Sequence, residues 1–246
     1  MPPSLHSIRF PGESRQYRDA RNELLEAEMT LRRNIEDVAV LRRALPLGGL
    51  LKEDYIFEEG APDLNDATTV RKTRLSELFS PDQDTLVIYS YMFGPQMAAP
   101  CVSCTSILDG LNGSAPHVRQ RVNLAVVAKS PIARIREIAR GRGWKNLRLL
   151  SSANNSYNLD YQGENAKGDQ TPSLNVFVRR DGNIYHFYNT EMLFAPQESG
   201  MDGRHVDSIW PIWNVFDFTP EGRGTDWYPK LSYDAPGLQQ LKKAGS

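Results

Sequence analysis

The chain has 246 residues, with 29 Lys and Arg against 30 Asp and Glu, a formal net charge of −1 and 40% hydrophobic residues. That length can bury a sizeable core, and the near-neutral balance has neither the basic excess of a nucleic-acid binder nor the acidic excess of a solvating tail. Met1-Pro-Pro-Ser-Leu-His-Ser7 lacks the apolar centre of a secretion signal, and no apolar run reaches the ~18 residues of a membrane span. The expectation is a cytoplasmic, soluble protein with no nucleic-acid or membrane partner.

Ser14 to Leu45 reads as one long helix. Tyr17, Leu24, Leu31, Val38 and Leu45 recur every seven residues, Ala20, Ala27, Ile35 and Leu41 fill the stripe, and Pro46 with Gly48-Gly49 ends it. About 30 residues span about 45 Å, longer than most globular helices. Two placements follow: a strap across the domain, or packing on a second copy of the chain as a homodimer.

Asp54–Glu58 and Val70–Thr73 are short strand candidates, and Leu75–Phe79 is a helical turn. Leu86–Phe93 is the clearest strand, an apolar β-rich run stopped by Gly94-Pro95. Cys101-Val-Ser-Cys104 follows, holding the only two cysteines in the chain, at the start of a helix that continues from Thr105 to Leu111 and breaks at Gly113. Asn123–Ala128 is a buried strand. Ser130 and Pro131 open a helix as N-cap and first residue, running to Gly141 or Gly143. Leu147–Leu150 is a further strand. The alternation of strands and helices implies crossovers and a parallel sheet segment.

Ser151–Gln170 is polar and reads as a loop. Ser173–Arg179 and Ile184–Tyr188, joined by Asp181-Gly182, form a hairpin, because Asp-Gly between alternating apolar runs suits a tight turn. A last helix is expected over Val206–Phe216. The domain reading is an N-terminal helical extension (1–50), a central domain (51–218) and a tail packing on it (219–246).

Two thiols one helical turn apart can close a disulfide, and the first sits where the helix dipole and free N–H groups favour a thiolate. In a cytoplasmic chain such a pair suits redox work better than a structural staple. Cys101 is the expected nucleophile and Cys104 the resolving thiol. Known Cys-x-x-Cys thiols have pKa values from about 3.5 to about 7. With no His or basic residue between the two, the upper part of that range is expected. A zinc site needs four ligands. His6, His117, His186 and His205 have no motif spacing, so no metal is expected. Gly48-Gly49 and Gly141-Arg-Gly143 form no phosphate loop, there is no dinucleotide fingerprint, and no cofactor is expected. Trp210, Trp213, Phe216, Phe218, Trp227 and Tyr228 make an aromatic C-terminal segment that either packs as core or lines a small-molecule pocket.

The order strand, Cys-x-x-Cys, helix, strand, helix, Thr171-Pro172, hairpin, helix resembles the thioredoxin fold over about Asp54–Phe218. The strands and turn upstream of Leu86 are similar to the peroxiredoxin branch. Arg9-Phe-Pro-Gly-Glu-Ser14, Tyr91-Met-Phe-Gly-Pro95, Leu108-Asp-Gly-Leu-Asn-Gly113, Ala125-Val-Val-Ala-Lys-Ser-Pro131 and Asn214-Val-Phe-Asp-Phe-Thr-Pro220 together resemble a bacterial thioredoxin-like family of unknown function, nearly end to end. The resemblance implies an α/β protein with a central mixed sheet flanked by helices. It also implies a cis-proline at Pro172 facing the cysteines, with the Thr171 backbone pairing with substrate. Thr171, Pro172, Pro100, Trp210 and Trp213 are the candidate substrate-binding residues. The chain departs from thioredoxin in Pro100, where Trp precedes the first Cys, and in the lack of a carboxylate within Leu86–Phe93. It departs from peroxiredoxins in Ala98, where Thr or Ser stands three residues before the reactive Cys. Three functions remain open: a thiol–disulfide oxidoreductase acting on a protein or small-molecule disulfide, a thiol peroxidase, and a non-catalytic or tailoring protein that binds a small molecule.

Overall fold

A computed structural model describes residues 5–233. The expected tail beyond 233 lies outside the described residues. The chain divides into two compact units, Met1–Pro46 and Leu47–Ser246.

In the first unit, helix α1 spans Arg15–Arg43. Ser14 caps it, its hydroxyl accepting the Tyr17 N–H at 3.1 Å, and Arg42 and Arg43 stand in the last turn, where cations suit the helix dipole. Arg18 holds Glu13 through two hydrogen bonds of 3.0 and 2.6 Å, fixing the chain's entry. The heptad residues Tyr17, Leu24, Leu31, Val38 and Leu45 are exposed.

The second unit is built on one sheet. Its strands are β1 (Ile56–Gly60), β2 (Val70–Arg74), β3 (Thr85–Ser90), β4 (Asn123–Ala128), β5 (Leu149–Ser151), β6 (Ser173–Arg180) and β7 (Asn183–Asn189). Their spatial order is β2-β1-β5-β4-β3-β6-β7. The pairs β3–β4 and β4–β5 are parallel; every other neighbouring pair is antiparallel. The parallel pairs need crossover helices, supplied by α2 (Val102–Val118) and α3 (Ile132–Arg142). With β6–β7 beside β3, these elements give the thioredoxin-like arrangement that the sequence implied.

Alternation along the central strands sorts two cores. Tyr89 of β3 and Leu124, Val126 and Ala128 of β4 pack with α2 and α3 on one face. Leu86 and Ile88, with Ala125 and Val127, pack with Tyr55, Phe57, Tyr157 and Phe177 on the other. Burial on both faces is why β3 and β4 read as nearly continuous apolar runs. Arg136, itself buried, reaches from α3 to the carbonyls of Ala61, Asp63 and Asp66 and pins the loop after β1.

Several boundaries differ from expectation, each for a local reason. Helix α2 does not break at Gly113 but runs on past Pro116. Proline removes the N–H that the Asn112 carbonyl would accept, and the Asn146 side chain donates to that carbonyl at 3.1 Å instead. Helix α3 starts one residue later than expected, with Pro131 as cap, because the Ser130 hydroxyl donates to the Gly94 carbonyl at 3.0 Å. It ends at Gly143, in the left-handed conformation at φ +70°. The polar loop 151–170 contains one helical turn, α4 (Tyr157–Asp160). The expected helix over Val206–Phe216 is interrupted: Arg204–Val206 is a single turn and α5 covers only Ile212–Asp217. Pro211 lies between them, and the residue before a proline is disfavoured in helical conformation. No helix among the described residues is long and apolar enough to cross a membrane.

Candidate functional site

Strand β3 delivers the chain to the site. After Ser90 the chain makes a tight turn, the Phe93 N–H donating to the Tyr91 carbonyl at 2.7 Å, and the Cys101 N–H donates to the Met92 carbonyl at 3.1 Å, tying the first cysteine to the residues just past the strand. Cys101 then caps α2. Its sulfur accepts the Cys104 N–H at 3.5 Å, while the Thr105 hydroxyl donates to its carbonyl at 2.8 Å. The Tyr91 and Thr105 hydroxyls meet at 2.9 Å and hold this first turn against the core.

The two thiols are close, free and unlike one another. Cys101 is half-buried, and Cys104 is 1% exposed. The Cys104 thiol, hydrogen-bonding to the Cys101 sulfur, lowers the Cys101 pKa to about 6; burial opposes this, and the Cys104 N–H and the Ser103 hydroxyl and N–H assist. Free N–H groups at a helix N-terminus stabilise a thiolate in this way. That same hydrogen bond, burial and the neighbouring negative charge all push Cys104 up. The buried Tyr89 hydroxyl has no hydrogen-bond partner of normal geometry, yet it sits near enough to Cys104 to work against that rise.

Both cysteines line a cavity of about 260 Å³. Met92, Ile107, Leu174, Ile209 and Trp210 are among its apolar walls, and Ser103, Ser173 and Thr190 among its polar lining. Trp210, 5% exposed, is fixed by its indole N–H, which donates to the Ser106 hydroxyl at 2.9 Å. Tyr228 closes one side, its hydroxyl 2.7 Å from that of Ser103. Arg142 carries the tail further onto the domain by donating to the Leu231 carbonyl at 2.7 Å.

Of the residues singled out from the sequence, Cys101, Cys104, Pro172 and Trp210 meet at this cavity. Thr171, Pro100 and Trp213 do not line it. Pro100 is buried, and Trp213 packs against Trp210 and Tyr228 at ring separations of 5.3 and 5.8 Å, supporting the wall. The expected cis-proline is corrected: no peptide bond among the described residues is cis, so Thr171–Pro172 is trans, the form X–Pro bonds ordinarily prefer. The Thr171 N–H is already taken by the Gly163 carbonyl at 2.9 Å. Sequence reasoning missed Tyr89, Thr190 and Leu193. Tyr89 carries a readable signal, since alternation from Leu86 and Ile88 puts it on the helix-bearing face. Thr190 and Leu193 follow β7 in a segment without periodicity. Among the described residues there is no cluster of three His, Cys, Asp or Glu suited to a metal.

A thioredoxin-like α/β domain with a dithiol at a helix N-terminus is the class that the fold and site define. The chain matches, over residues 8–235, the family described as "Bacterial protein of unknown function (DUF899)", and it belongs to that family. No curated protein matches it. Among solved structures it is similar to a thioredoxin peroxidase I from Plasmodium yoelii, with 13% identity, TM-score 0.44, and 77% of this chain and 99% of that one covered. It is also similar to AhpC from Enterococcus faecalis, with 9% identity, TM-score 0.43, and coverage of 74% and 98%. A third is an exposed lipoprotein thioredoxin from Streptococcus pneumoniae, with 14% identity, TM-score 0.38, and coverage of 63% and 98%.

Proposed function

We propose that this protein is a thiol–disulfide oxidoreductase whose substrate is a small-molecule disulfide. The observation that carries this reading is the asymmetry of the pair: a half-buried Cys101 with its pKa lowered to about 6 beside a buried Cys104 whose pKa is raised. One thiol is ready as a nucleophile near neutral pH, and the other is held in reserve as a protonated donor.

The Cys101 thiolate attacks one sulfur of the substrate disulfide. A Cys101–substrate disulfide forms, and the other substrate sulfur leaves as a thiolate and takes a proton. Cys104 then loses its proton and attacks the Cys101 sulfur, releasing the second substrate thiol. Two electrons pass from the dithiol to the substrate, and an external thiol reductant restores the pair. A cavity of about 260 Å³ with a mainly apolar lining suits a compact, partly apolar disulfide better than a protein strand. The Thr171 N–H, engaged within the chain, offers no pairing to a peptide.

Replacing Cys104 by Ser tests the sequence of steps. The variant should retain one adduct per chain, seen as the mass of half a disulfide substrate on Cys101, and should not turn over. Replacing Cys101 by Ser should abolish both adduct and turnover. Turnover unchanged in Cys101→Ser would remove the proposal. Consumption of hydrogen peroxide that depends on Cys101, with no disulfide reduction, would replace it by the peroxidase reading.

A further inference from the structure

The face of the β6–β7 hairpin opposite the dithiol carries a second cleft. Leu174 lines the thiol cavity, and Asn175, the next residue along β6, lines this cleft, as alternation along a strand requires. The cleft has a volume of about 820 Å³, and Leu50, Tyr161, Met192 and Phe194 contribute its apolar surface. Its polar residues include Asn175, His186 and Asn189, none of which the dithiol chemistry uses.

A β-bulge brings these three together. Asn175 pairs with Asn189 and Val176 with Tyr188, but Phe177 pairs with His186, so Phe187 is an extra residue on β7. In an unbulged register Phe187 would oppose Phe177 and His186 would point to the other face; in the bulged register His186 joins Asn175 and Asn189. Gly49 completes the wall, and Gly48 lies against the strand beside it. The Gly49 carbonyl accepts the His186 N–H at 2.9 Å, and a side chain at Gly48 would come within 2.3 Å of the His186 carbonyl oxygen.

Hydrogen bonding fixes which atoms are left over. Asn175, 0% exposed, donates its amide to the Tyr161 carbonyl at 3.4 Å and to the Ser173 hydroxyl at 3.2 Å, which sets its oxygen on the opposite side. That oxygen receives the Asn189 amide at 2.7 Å and His186 Nε2 at 2.9 Å. Nε2 is therefore the protonated nitrogen, and His186 Nδ1 is a bare acceptor. Asn189, 8% exposed, is left with its Oδ1 buried and unpartnered. Glu191 stands at the same cleft and adds negative charge. Asp160 also lines it, but its carboxylate already holds Lys52, Tyr55 and Ser156. A buried polar atom without a partner calls for a water or a ligand, and here the vacancies are all acceptors.

We infer that this cleft is a second binding site, for a small amphipathic cation whose N–H groups satisfy His186 Nδ1 and Asn189 Oδ1 and whose apolar part lies on Leu50, Met192 and Phe194. An anion or an acceptor-only ligand would meet Glu191 and two lone pairs.

Benzamidine, a phenyl ring carrying a cationic amidine, is the probe, and benzoate, of the same shape and opposite character, is the control. Imidazole nitrogen resonances of the full-length protein should place the proton of His186 on Nε2. Benzamidine should move the His186 Nδ1 signal saturably, and benzoate should leave it in place over the same concentrations. Phe194→Ala, at an exposed rim position outside the polar network, should weaken benzamidine about fivefold by removing apolar contact. The inference is overturned by a His186 signal that does not saturate, as a site filled by water alone would give. Equal responses to the two probes, or an affinity unchanged in Phe194→Ala, would overturn it as well.

Discussion

The hydroxyls of Ser103 and Tyr228 lie 2.7 Å apart, joining the middle of the Cys-x-x-Cys to the C-terminal segment. Ser103 also helps to hold the Cys101 thiolate. When its proton points to that sulfur, Tyr228 must donate to the Ser103 oxygen, and the three groups form a relay. Tyr228→Phe should raise the Cys101 pKa, seen as a shift of its alkylation profile to higher pH. Tyr228→Ala should also open the cavity, so that a bulky maleimide reacts faster with Cys101 relative to iodoacetamide. A profile and reagent ratio unchanged in both variants would detach the tail from the site.

The unlike thiols make the stability of the reduced protein depend on pH in a defined way. Cys101 has a folded pKa of about 6, below the ordinary thiol value of about 8.5. Its contribution is therefore fully present above about 8.5 and is lost as pH falls towards 6. Cys104 is shifted upward, so its contribution is present below about 8.5 and is lost as pH rises beyond it. Relative to Cys101→Ala, the reduced wild type should gain stability from pH 6 to pH 8. Urea denaturation under dithiothreitol at those two values measures this.

Asp109 joins α2 to the end of α3. Its carboxylate accepts Arg142 Nε at 2.7 Å and the indole N–H of the buried Trp144 at 2.8 Å, and Arg142 in turn holds the tail carbonyl of Leu231. Asp109→Ala should cost about 1–3 kcal/mol in denaturant, because Trp144 is left with an unpaired buried donor. It should also speed Cys101 alkylation, by freeing Arg142 from the position in which it holds the tail.

Gly48 and Gly49 make a paired test of how the segment before β1 lies along β7, where the Gly49 carbonyl accepts the His186 N–H and the Leu51 N–H donates to the Ile184 carbonyl. A methyl group at Gly48 would collide with the His186 carbonyl, whereas at Gly49 nothing lies within 4 Å. Gly48→Ala should destabilise by about 1–3 kcal/mol and Gly49→Ala by well under 1, as denaturant midpoints would read.

The parts of this fold legible in the sequence are those set by neighbours in the chain. Asp181 and Gly182, at φ +51° and +78°, form the positive-φ turn that Asp-Gly foretells, and the double-sided burial of β3 and β4 appears as continuous apolar runs. What was not legible depends on distant partners. Gly113 and Pro116 look like helix breakers until Asn146 supplies the missing hydrogen bond from 34 residues away. The extra residue Phe187 alters no composition or period that would betray a bulge. The cysteines could be found by their spacing, but the walls of their cavity come from Tyr89, Thr190, Trp210 and Tyr228, four stretches that only the fold assembles. Trp213 illustrates the limit: it is chemically like Trp210 and three residues away, yet it lies behind the wall.

The redox equilibrium of Cys101 and Cys104 against a glutathione series, read as free thiols by mass after alkylation, tests the central claim most directly. The account predicts a reversible two-electron transition between about −270 and about −120 mV, the span of known catalytic dithiols. Two thiols that remain reduced across the series, and react only once the protein unfolds, would contradict it.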